Sequence, residues 1–319
     1  MSSELAFLFP GQGSQSRGML REFLDTEQVV ADTFTEASDV LGYDMHELTR
    51  DNPNEKLNQT EYTQPALLTA STALLRLWEQ RDGTQAKHAA GHSLGEYSAL
   101  VAAGSLSFSD ALVLVAFRGH VMTEAVPEGM GRMAVILGLE NDQVKSLCHE
   151  ISTDVEKVWP ANYNCPGQLV VAGHTAAVNC IMERAKDAGA RRAIPLQVSA
   201  PSHTPLMQPA ADAMRKRLKD VEIKTPKMPV WSNALASPLE KPGEIEAALV
   251  QQLVSPVRWT ETICHITRMG VCRGVEMGPG KVLSGIVRRI DRCFTVCPVD
   301  TPDNLAGALE QMVGTNGRR

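Results

Sequence analysis

The residues whose types and spacing could carry out chemistry are Gly91-His92-Ser93-Leu94-Gly95. An apolar run precedes them and a helix-forming run follows, so this Gly-x-Ser-x-Gly pattern has a strand, turn and helix context. A serine on such a turn, a nucleophile elbow, exposes its hydroxyl, and the glycines let strand and helix pack closely. The Leu94 amide would face the developing oxyanion. The pattern predicts that Ser93 is a nucleophile; the alternative is a chance match in a loop.

A serine hydroxyl needs a neighbouring base, which near neutral pH is usually a histidine. Among the eight histidines we favour His203, because it begins a predicted helix after a proline-interrupted loop, where a cleft would form. His120 stays an alternative because it shares a predicted helix with Arg118. His88 and His92 have metal-like spacing, but on a strand and a turn they would not share a helix face, so we expect no metal site. No acid stands in the obvious third position, so a dyad and a triad both stay open.

Two further side chains could contribute to such a site. Gln12 lies in the glycine-containing loop at residues 11–15. This loop is not a dinucleotide-binding Gly-x-Gly-x-x-Gly motif, because the position of the third glycine is occupied by Ser16. The loop either presents the Gln12 amide to a catalytic centre or is a simple turn. Arg118 lies in an apolar predicted helix, and an unpaired buried charge is prohibitive. Its partner must be a structural carboxylate or a substrate.

Composition excludes several classes of function. The 319 residues, 43% of them hydrophobic, can form one large domain or two smaller ones. There are 31 Lys plus Arg against 37 Asp plus Glu, a net charge of −6, so neither nucleic acid nor an anionic membrane is an expected partner. We expect no signal peptide and no membrane span. The seven scattered cysteines favour reduced thiols and a cytoplasmic location. A monomer is the expectation at this size.

The order of the predicted elements indicates the fold. Alternating strands and helices at both ends of the chain predict a parallel α/β sheet. Between them lies a β-α-β-β-α-β segment, which is the ferredoxin-like order. We therefore predict an α/β fold in which an α/β-hydrolase-like large domain, residues 1–127 and 204–319, contains an inserted ferredoxin-like small domain, residues 128–203.

Local patterns predict the ends of some elements. A helix is expected at Pro65 to Trp78, with Thr63 as its N-cap and the proline in its first turn. A strand is expected at Arg191 to Val198, and a helix from Pro205 to Leu218.

Several other stretches occur with the elbow in one characteristic order. They are Phe9-Pro10-Gly11-Gln12-Gly13-Ser14-Gln15, Thr63-Gln64-Pro65-Ala66, Gly91-His92-Ser93-Leu94-Gly95-Glu96, Arg118-Gly119, Asn162-Tyr163-Asn164-Cys165-Pro166-Gly167-Gln168, Pro201-Ser202-His203 and Glu276-Met277-Gly278-Pro279-Gly280. Together they resemble the malonyl-CoA:acyl-carrier-protein transacylases of bacterial fatty-acid synthesis. The resemblance covers nearly the whole chain, and the set is far more specific than the elbow alone.

The resemblance implies roles for individual residues. Ser93 would be the acylated nucleophile and His203 its base and acid, while Gln12 and the Leu94 amide would form the oxyanion hole. Arg118 would bind the free carboxylate of the malonyl group, a charge-assisted contact worth roughly 1.5–3 kcal/mol. Gln252 would support the histidine through its backbone carbonyl.

The resemblance also implies a ping-pong reaction without a bound cofactor. Malonyl-CoA would acylate the serine, and the phosphopantetheine thiol of acyl carrier protein would accept the malonyl group. Because carrier proteins and this chain are both acidic, docking would need a basic patch. Our hypothesis is Arg191 and Arg192 with Arg288 and Arg289; the alternative is that these are solvated surface charges.

Two departures from the family pattern leave questions open. The serine before the base, Ser202, also occurs in relatives that use branched extender units, so malonyl and methylmalonyl are not distinguished. Cys165 stands where serine is expected, and we interpret it as tolerated. Competing functions are a discrete polyketide-synthase acyltransferase, a serine esterase and a non-catalytic binding module. The esterase would have an acid-then-histidine order and an apolar pocket without Arg118.

Overall fold

The computed structural model describes residues 4–198 and 200–312. The strands are β1 (Leu5–Phe9), β2 (His88–Gly91), β3 (Gly131–Leu137), β4 (Val158–Cys165), β5 (Gln168–His174), β6 (Arg192–Pro195), β7 (Val230–Trp231), β8 (Pro238–Leu239), β9 (Arg273–Glu276) and β10 (Thr295–Pro298). The helices are α1 (Arg21–Thr26), α2 (Gln28–Leu41), α3 (Met45–Asp51), α4 (Thr60–Gln80), α5 (Gly95–Ala102), α6 (Phe108–Glu124), α7 (Asn141–Ile151), α8 (Thr175–Asp187), α9 (Gln208–Leu218), α10 (Pro242–Val254), α11 (Trp259–Arg268), α12 (Val282–Ile290) and α13 (Pro302–Met312). Two 3₁₀ segments lie at Pro53–Asn58 and Pro205–Met207.

The large sheet has the strand order β10-β9-β1-β2-β7-β8. Its strands are parallel except for β8, which pairs antiparallel with β7. The central strand β1 is apolar throughout because both of its faces are covered: Phe7 and Phe9 join one apolar cluster, and Ala6 and Leu8 join the other. The predicted parallel α/β sheet is therefore confirmed.

The small sheet has the order β4-β5-β3-β6, and all of its neighbouring strands are antiparallel. Helices α7 and α8 pack on one face, where Val144 and Leu147 meet Val178 and Ile181 in a separate apolar cluster. This is the ferredoxin-like arrangement that the sequence predicts. Strand β4 of the small sheet also contacts the segment between α10 and α11, where the Tyr163 amide donates to the Val257 carbonyl at 2.9 Å.

The exact domain ranges, 1–127 with 204–319 and 128–203, stay a prediction. Residues 1–3, 199 and 313–319 of those ranges lie outside the described part of the chain. Among the described residues, no helix combines the length and apolar content that a bilayer span requires.

The start of α4 differs from the prediction. Gln59, and not Thr63, occupies the N-cap, and Pro65 lies in the second turn of the helix. The Thr63 hydroxyl instead donates to the Leu57 and Gln59 carbonyls, at 2.6 and 2.9 Å. The prediction was wrong because it assigned a capping role to a threonine whose hydroxyl bonds back to the preceding turn.

Two other elements are shorter than predicted. The strand expected at Arg191 to Val198 is confined to Arg192–Pro195, and β3 is its only partner in the part of the chain described. The helix expected from Pro205 begins as a 3₁₀ turn and becomes α-helical at Gln208. Helices α1 and α3 are short elements that the sequence analysis did not predict.

The turn between β2 and α5 has no space for side chains at its two glycines. A Cβ on Gly91 would lie 1.9 Å from the carbonyl carbon of Gly95, and a Cβ on Gly95 would lie 2.1 Å from the Phe9 carbonyl oxygen. The obstructing atoms are backbone atoms of the central strand and helix, so they cannot rotate aside. Strand, turn and helix therefore approach one another as closely as the backbone permits.

The first prediction concerns this close approach. Gly95→Ala is expected to lower the free energy of unfolding by more than about 3 kcal/mol, because the added methyl overlaps backbone. The matched control is Gly285→Ala in α12, where a Cβ would meet nothing within 4 Å; it is expected to be neutral or to stabilise by up to about 1 kcal/mol. Urea unfolding of both variants provides the measurement. Equal free energies of unfolding in Gly95→Ala and Gly285→Ala would contradict the close approach of strand and helix at Gly95.

Candidate active site

Ser93 lies at the tip of the turn in a left-handed conformation, with φ of 52°. Such a conformation is strained for a residue with a side chain, so the surrounding structure must hold it. The Ser93 amide donates to Asn233 Oδ1 at 2.6 Å, and Asn233 Nδ2 donates to the Gly91 carbonyl at 2.6 Å. One asparagine therefore bridges the turn from behind and leaves the serine hydroxyl on the other side.

The Ser93 hydroxyl lies beside His203, with 2.8 Å between Oγ and Nε2. The other ring nitrogen, Nδ1, is 2.8 Å from the Gln252 carbonyl oxygen. A carbonyl can only accept, so Nδ1 carries the hydrogen and Nε2 presents its lone pair to the hydroxyl. Burial lowers the pKa of His203 to about 3, and the charge on Arg118 acts in the same direction. The imidazole is therefore neutral and able to accept a proton.

The surroundings of the His203 ring bear on the choice between a dyad and a triad. The group that orients the His203 ring is a backbone carbonyl, as the resemblance implies for Gln252, and not a carboxylate. His120, the alternative base, is half exposed and lies between Glu61 and Glu124. His92 points away from the hydroxyl, and its Nε2 is 2.8 Å from Asn164 Oδ1.

Arg118 is 1% exposed and reaches the same hydroxyl. Its Nη1 donates to Gln64 Oε1 at 2.7 Å, and its Nη2 donates to Gln252 Oε1 at 2.9 Å and to Ser93 Oγ at 3.3 Å. Its guanidinium also lies over the Tyr97 ring. Within residues 4–198 and 200–312, no carboxylate lies within ion-pair distance of Arg118. The predicted anionic partner is therefore not a direct protein carboxylate of the described residues.

A buried network lies beneath these groups. Gln252 Nε2 donates to the Ser93 carbonyl at 3.0 Å and to Glu96 Oε2 at 2.7 Å. The Asn233 amide donates to the same Glu96 oxygen at 3.0 Å. Burial raises the pKa of Glu96 to about 7, against the opposing effects of Gln252, Asn233 and Arg118. Glu96 is thus the nearest buried acid, held apart from Arg118 by the Gln252 side chain.

Sequence reasoning missed three of these residues. Gln64 and Glu96 both stand inside stretches that carry the family resemblance, Thr63-Gln64-Pro65-Ala66 and Gly91-His92-Ser93-Leu94-Gly95-Glu96, and their place in those stretches is the signal that could have found them. Asn233 stands in no such stretch. Its position behind the elbow depends on a contact across 140 residues.

Gln12 and Leu94 are the residues expected to form an oxyanion hole. The loop that carries Gln12 packs on the elbow, where a Cβ on Gly11 would lie 2.4 Å from the His92 carbonyl oxygen. Gln12 Nε2 donates to Thr60 Oγ1 at 3.2 Å. The Leu94 amide has no protein acceptor in the described part of the chain, and it precedes the N-terminus of α5. Both residues border the turn that carries Ser93.

The four arginines of the docking hypothesis are exposed: Arg191, Arg192, Arg288 and Arg289. Arg289, on α12, donates to Gln168 Oε1 at 2.8 Å and to the Pro166 carbonyl at 3.2 Å. It therefore spans from the large sheet's helices to the β4–β5 hairpin. Gly138 lies beside both this hairpin and the backbone of Arg191, so arginines from both parts of the chain lie around one hairpin.

The chain is similar over nearly its whole length to known proteins. A profile of the family described as acyl transferase domain matches residues 6–296. A malonyl CoA-acyl carrier protein transacylase of Salmonella typhimurium is 48% identical, and the match covers 97% of this chain and 100% of that protein. A solved malonyl-transacylase in complex with its type II PKS acyl-carrier protein is 48% identical with a TM-score of 0.95, covering 97% and 100%. The transacylase of Coxiella burnetii is 44% identical with a TM-score of 0.95, covering 98% of each chain.

The second prediction follows from the raised pKa of Glu96. A carboxyl whose pKa is raised from 4.5 to about 7 on folding contributes stability that is complete below pH 4.5 and is lost as pH rises through 7. A glutamine does not titrate, so Glu96→Gln removes this loss of stability at high pH. Between pH 5 and pH 8.5, the stability of the variant relative to wild type is expected to rise by about 2 kcal/mol, since each pKa unit is worth about 1.4 kcal/mol.

Urea unfolding at the two pH values provides this measurement. The control is Glu183→Gln on α8, which removes an exposed carboxylate and is expected to change relative stability by less than about 0.5 kcal/mol. A difference between wild type and Glu96→Gln that does not vary with pH would contradict the prediction.

Proposed function

Because the chain belongs to the malonyl CoA-acyl carrier protein transacylases of the acyl transferase family, we propose that it transfers a malonyl group from malonyl-CoA to the phosphopantetheine thiol of acyl carrier protein. The observation that carries this proposal is the environment of Arg118. A buried guanidinium with no carboxylate in ion-pair distance among the described residues lies 3.3 Å from the Ser93 hydroxyl. An acyl group that carries its own carboxylate supplies the missing charge.

In the first half-reaction, Ser93 Oγ attacks the thioester carbonyl of malonyl-CoA while His203 Nε2 takes the hydroxyl proton. The negative charge that develops on the carbonyl oxygen is stabilised by the Leu94 amide and the Gln12 side chain. The carbon–sulfur bond then breaks, and His203 returns the proton to the coenzyme A sulfur. The products are a malonyl-serine ester and a free thiol.

The second half-reaction reverses these roles. His203 takes the proton of the carrier's phosphopantetheine thiol, and the sulfur attacks the ester carbonyl. Collapse of the tetrahedral intermediate releases Ser93, which regains a proton from His203. Each half-reaction exchanges an ester with a thioester and oxidises nothing, so we propose that no bound cofactor takes part. The seven unpaired cysteines favour a cytoplasmic site of action.

Selectivity for malonyl arises from Arg118. Gln64 and Gln252 hold its two terminal nitrogens by neutral amide oxygens, so no carboxylate of the described residues neutralises its positive charge by direct contact before the substrate binds. A charge-assisted contact to the malonyl carboxylate is worth roughly 1.5–3 kcal/mol, which favours malonyl over acetyl about ten- to a hundredfold. A simple ester offers no carboxylate, which disfavours the serine esterase alternative.

The third prediction tests the nucleophile and the carboxylate contact together. Intact-protein mass spectrometry after brief mixing with malonyl-CoA or acetyl-CoA, without carrier, is expected to show one malonyl adduct on wild type and none on Ser93→Ala. In Arg118→Ala the ratio of malonyl adduct to acetyl adduct is expected to fall about ten- to a hundredfold. The ratio of the two adducts is independent of the folded fraction.

The control for this experiment is Arg184→Ala, an exposed arginine on α8, which is expected to keep the wild-type ratio. A malonyl adduct that survives Ser93→Ala would overturn the proposed function. Equal selectivity in Arg118→Ala and wild type would remove the role of that arginine.

The fourth prediction concerns the carrier. Reversing the charge of Arg191 and Arg192 together, or of Arg288 and Arg289 together, is expected to raise the KM for carrier protein about three- to tenfold while acylation by malonyl-CoA is unchanged. The matched control is the double reversal Lys216→Glu with Lys219→Glu, two exposed lysines on or next to α9. Steady-state kinetics with varied carrier provide the measurement, and an unchanged KM in both arginine variants would rule out this surface.

A further inference from the structure

Glu96 is a buried acid to which the mechanism above gives no role. It is the second residue of α5 and is 0% exposed. One carboxylate oxygen, Oε2, accepts both of its hydrogen bonds, from Gln252 Nε2 and from the Asn233 amide. The other oxygen, Oε1, is buried without a partner among the described residues. Burying a carboxylate is costly, so its place directly behind the elbow calls for an explanation.

The contacts of Gln252 provide one. Glu96 Oε2 accepts hydrogen bonds from both of its partners, and a guanidinium can only donate them. The Gln252 amide lies between the two, so its NH₂ must face Glu96 and its oxygen must face Arg118. If the amide turned over, two donors would face each other at Arg118. Glu96 at 2.7 Å, together with the Ser93 carbonyl at 3.0 Å, thus determines which end of the Gln252 side chain meets the guanidinium.

The same geometry explains why Glu96 does not pair with Arg118 directly. A direct ion pair would place a negative charge on the guanidinium and so weaken its attraction for the substrate carboxylate, whereas the Gln252 oxygen accepts from Nη2 without adding a charge. The interposed amide transmits the orientation without placing a second carboxylate on Arg118. Asn233, the other donor to Glu96, is the residue that holds the Ser93 amide, so one carboxylate oxygen supports both the nucleophile's turn and the arginine's partner.

We infer that Glu96 is a positioning residue for acyl-group selection: by fixing the orientation of the Gln252 amide, it holds Arg118 where the carboxylate of the acyl group binds. This inference rests on the proposed function, because it concerns the malonyl preference of the same site. It assigns Glu96 no contact with the substrate.

The test compares Glu96→Ala with Glu96→Gln. In Glu96→Gln the side-chain oxygen can still accept from Gln252 Nε2 and the Asn233 amide, whereas Glu96→Ala removes this acceptor and leaves Gln252 Nε2 only the longer contact to the Ser93 carbonyl. We expect Glu96→Ala to lower the ratio of kcat/KM for serine acylation by malonyl-CoA to that by acetyl-CoA at least about tenfold. Glu96→Gln is expected to keep this ratio within about threefold of wild type. A purely structural role would lower both rates together and leave the ratio unchanged.

Further variants make the outcome decisive. Ser98→Ala, in the same helix, removes a buried hydroxyl without a hydrogen-bond partner in the described structure and is the control for disturbance of α5. Should Glu96→Ala not fold, Glu96→Asp withdraws the carboxylate from Gln252 and is expected to lower the ratio as well. In an Arg118→Ala background, Glu96→Ala is expected to have no further effect on the ratio, because the two residues act through one contact.

The results separate this inference from the proposed function. A wild-type enzyme with no malonyl preference would contradict the proposed function itself. A selective wild type whose ratio is unchanged in Glu96→Ala or Glu96→Asp would overturn the inference alone. The inference would also be overturned if Glu96→Gln lowered the malonyl-to-acetyl ratio as strongly as Glu96→Ala. The charge of Glu96, and not the orientation of the Gln252 amide, would then be responsible.

Discussion

The structure depends on the close approach of β2 and α5 at the elbow. The backbone of this crossing leaves no space for a Cβ at Gly91 or Gly95, and the chain turns there with Ser93 in a left-handed conformation. That conformation costs of order 1–3 kcal/mol. The Asn233 side chain offsets part of this cost by bonding on both sides of the turn. The large sheet supplies the rigid support that keeps a strained serine in one position.

The site combines a neutral base with a charged arginine, and both side chains are buried. His203 is neutral because burial and the nearby positive charge both oppose its protonation. Burial lowers the pKa of Arg118. The guanidinium nevertheless stays charged, because its ordinary pKa lies far above neutral pH. Its immediate partners are amide oxygens, whose dipoles stabilise the cation without neutralising it. In a low-dielectric site an uncompensated cation attracts an incoming anion far more strongly than it would in water.

Much of this could be predicted from the sequence where the signal is local. The elbow, the alternation of strands and helices and the β-α-β-β-α-β order depend on neighbouring residues, and the corresponding fold prediction is confirmed. His203 required a choice among eight histidines, and the family resemblance strengthened it. Asn233 and the pairing of Glu96 with Gln252 depend on contacts across 140 and 156 residues, which no local pattern encodes. The predicted N-cap at Thr63 was wrong because helix ends are hard to place from sequence. A threonine hydroxyl has several backbone groups within reach and does not have to cap the helix.

Gln252 serves two groups through different parts of one residue, its carbonyl for His203 and its side chain for Arg118. Gln64, by contrast, contacts Arg118 and Met122 and has no hydrogen bond to the histidine in the described part of the chain. An engineer who wishes to redirect the enzyme toward uncharged extender units therefore has unequal starting points. Redesign around α10 would alter turnover together with selectivity, whereas redesign around α4 and α6 can reshape the acyl pocket while the base keeps its support.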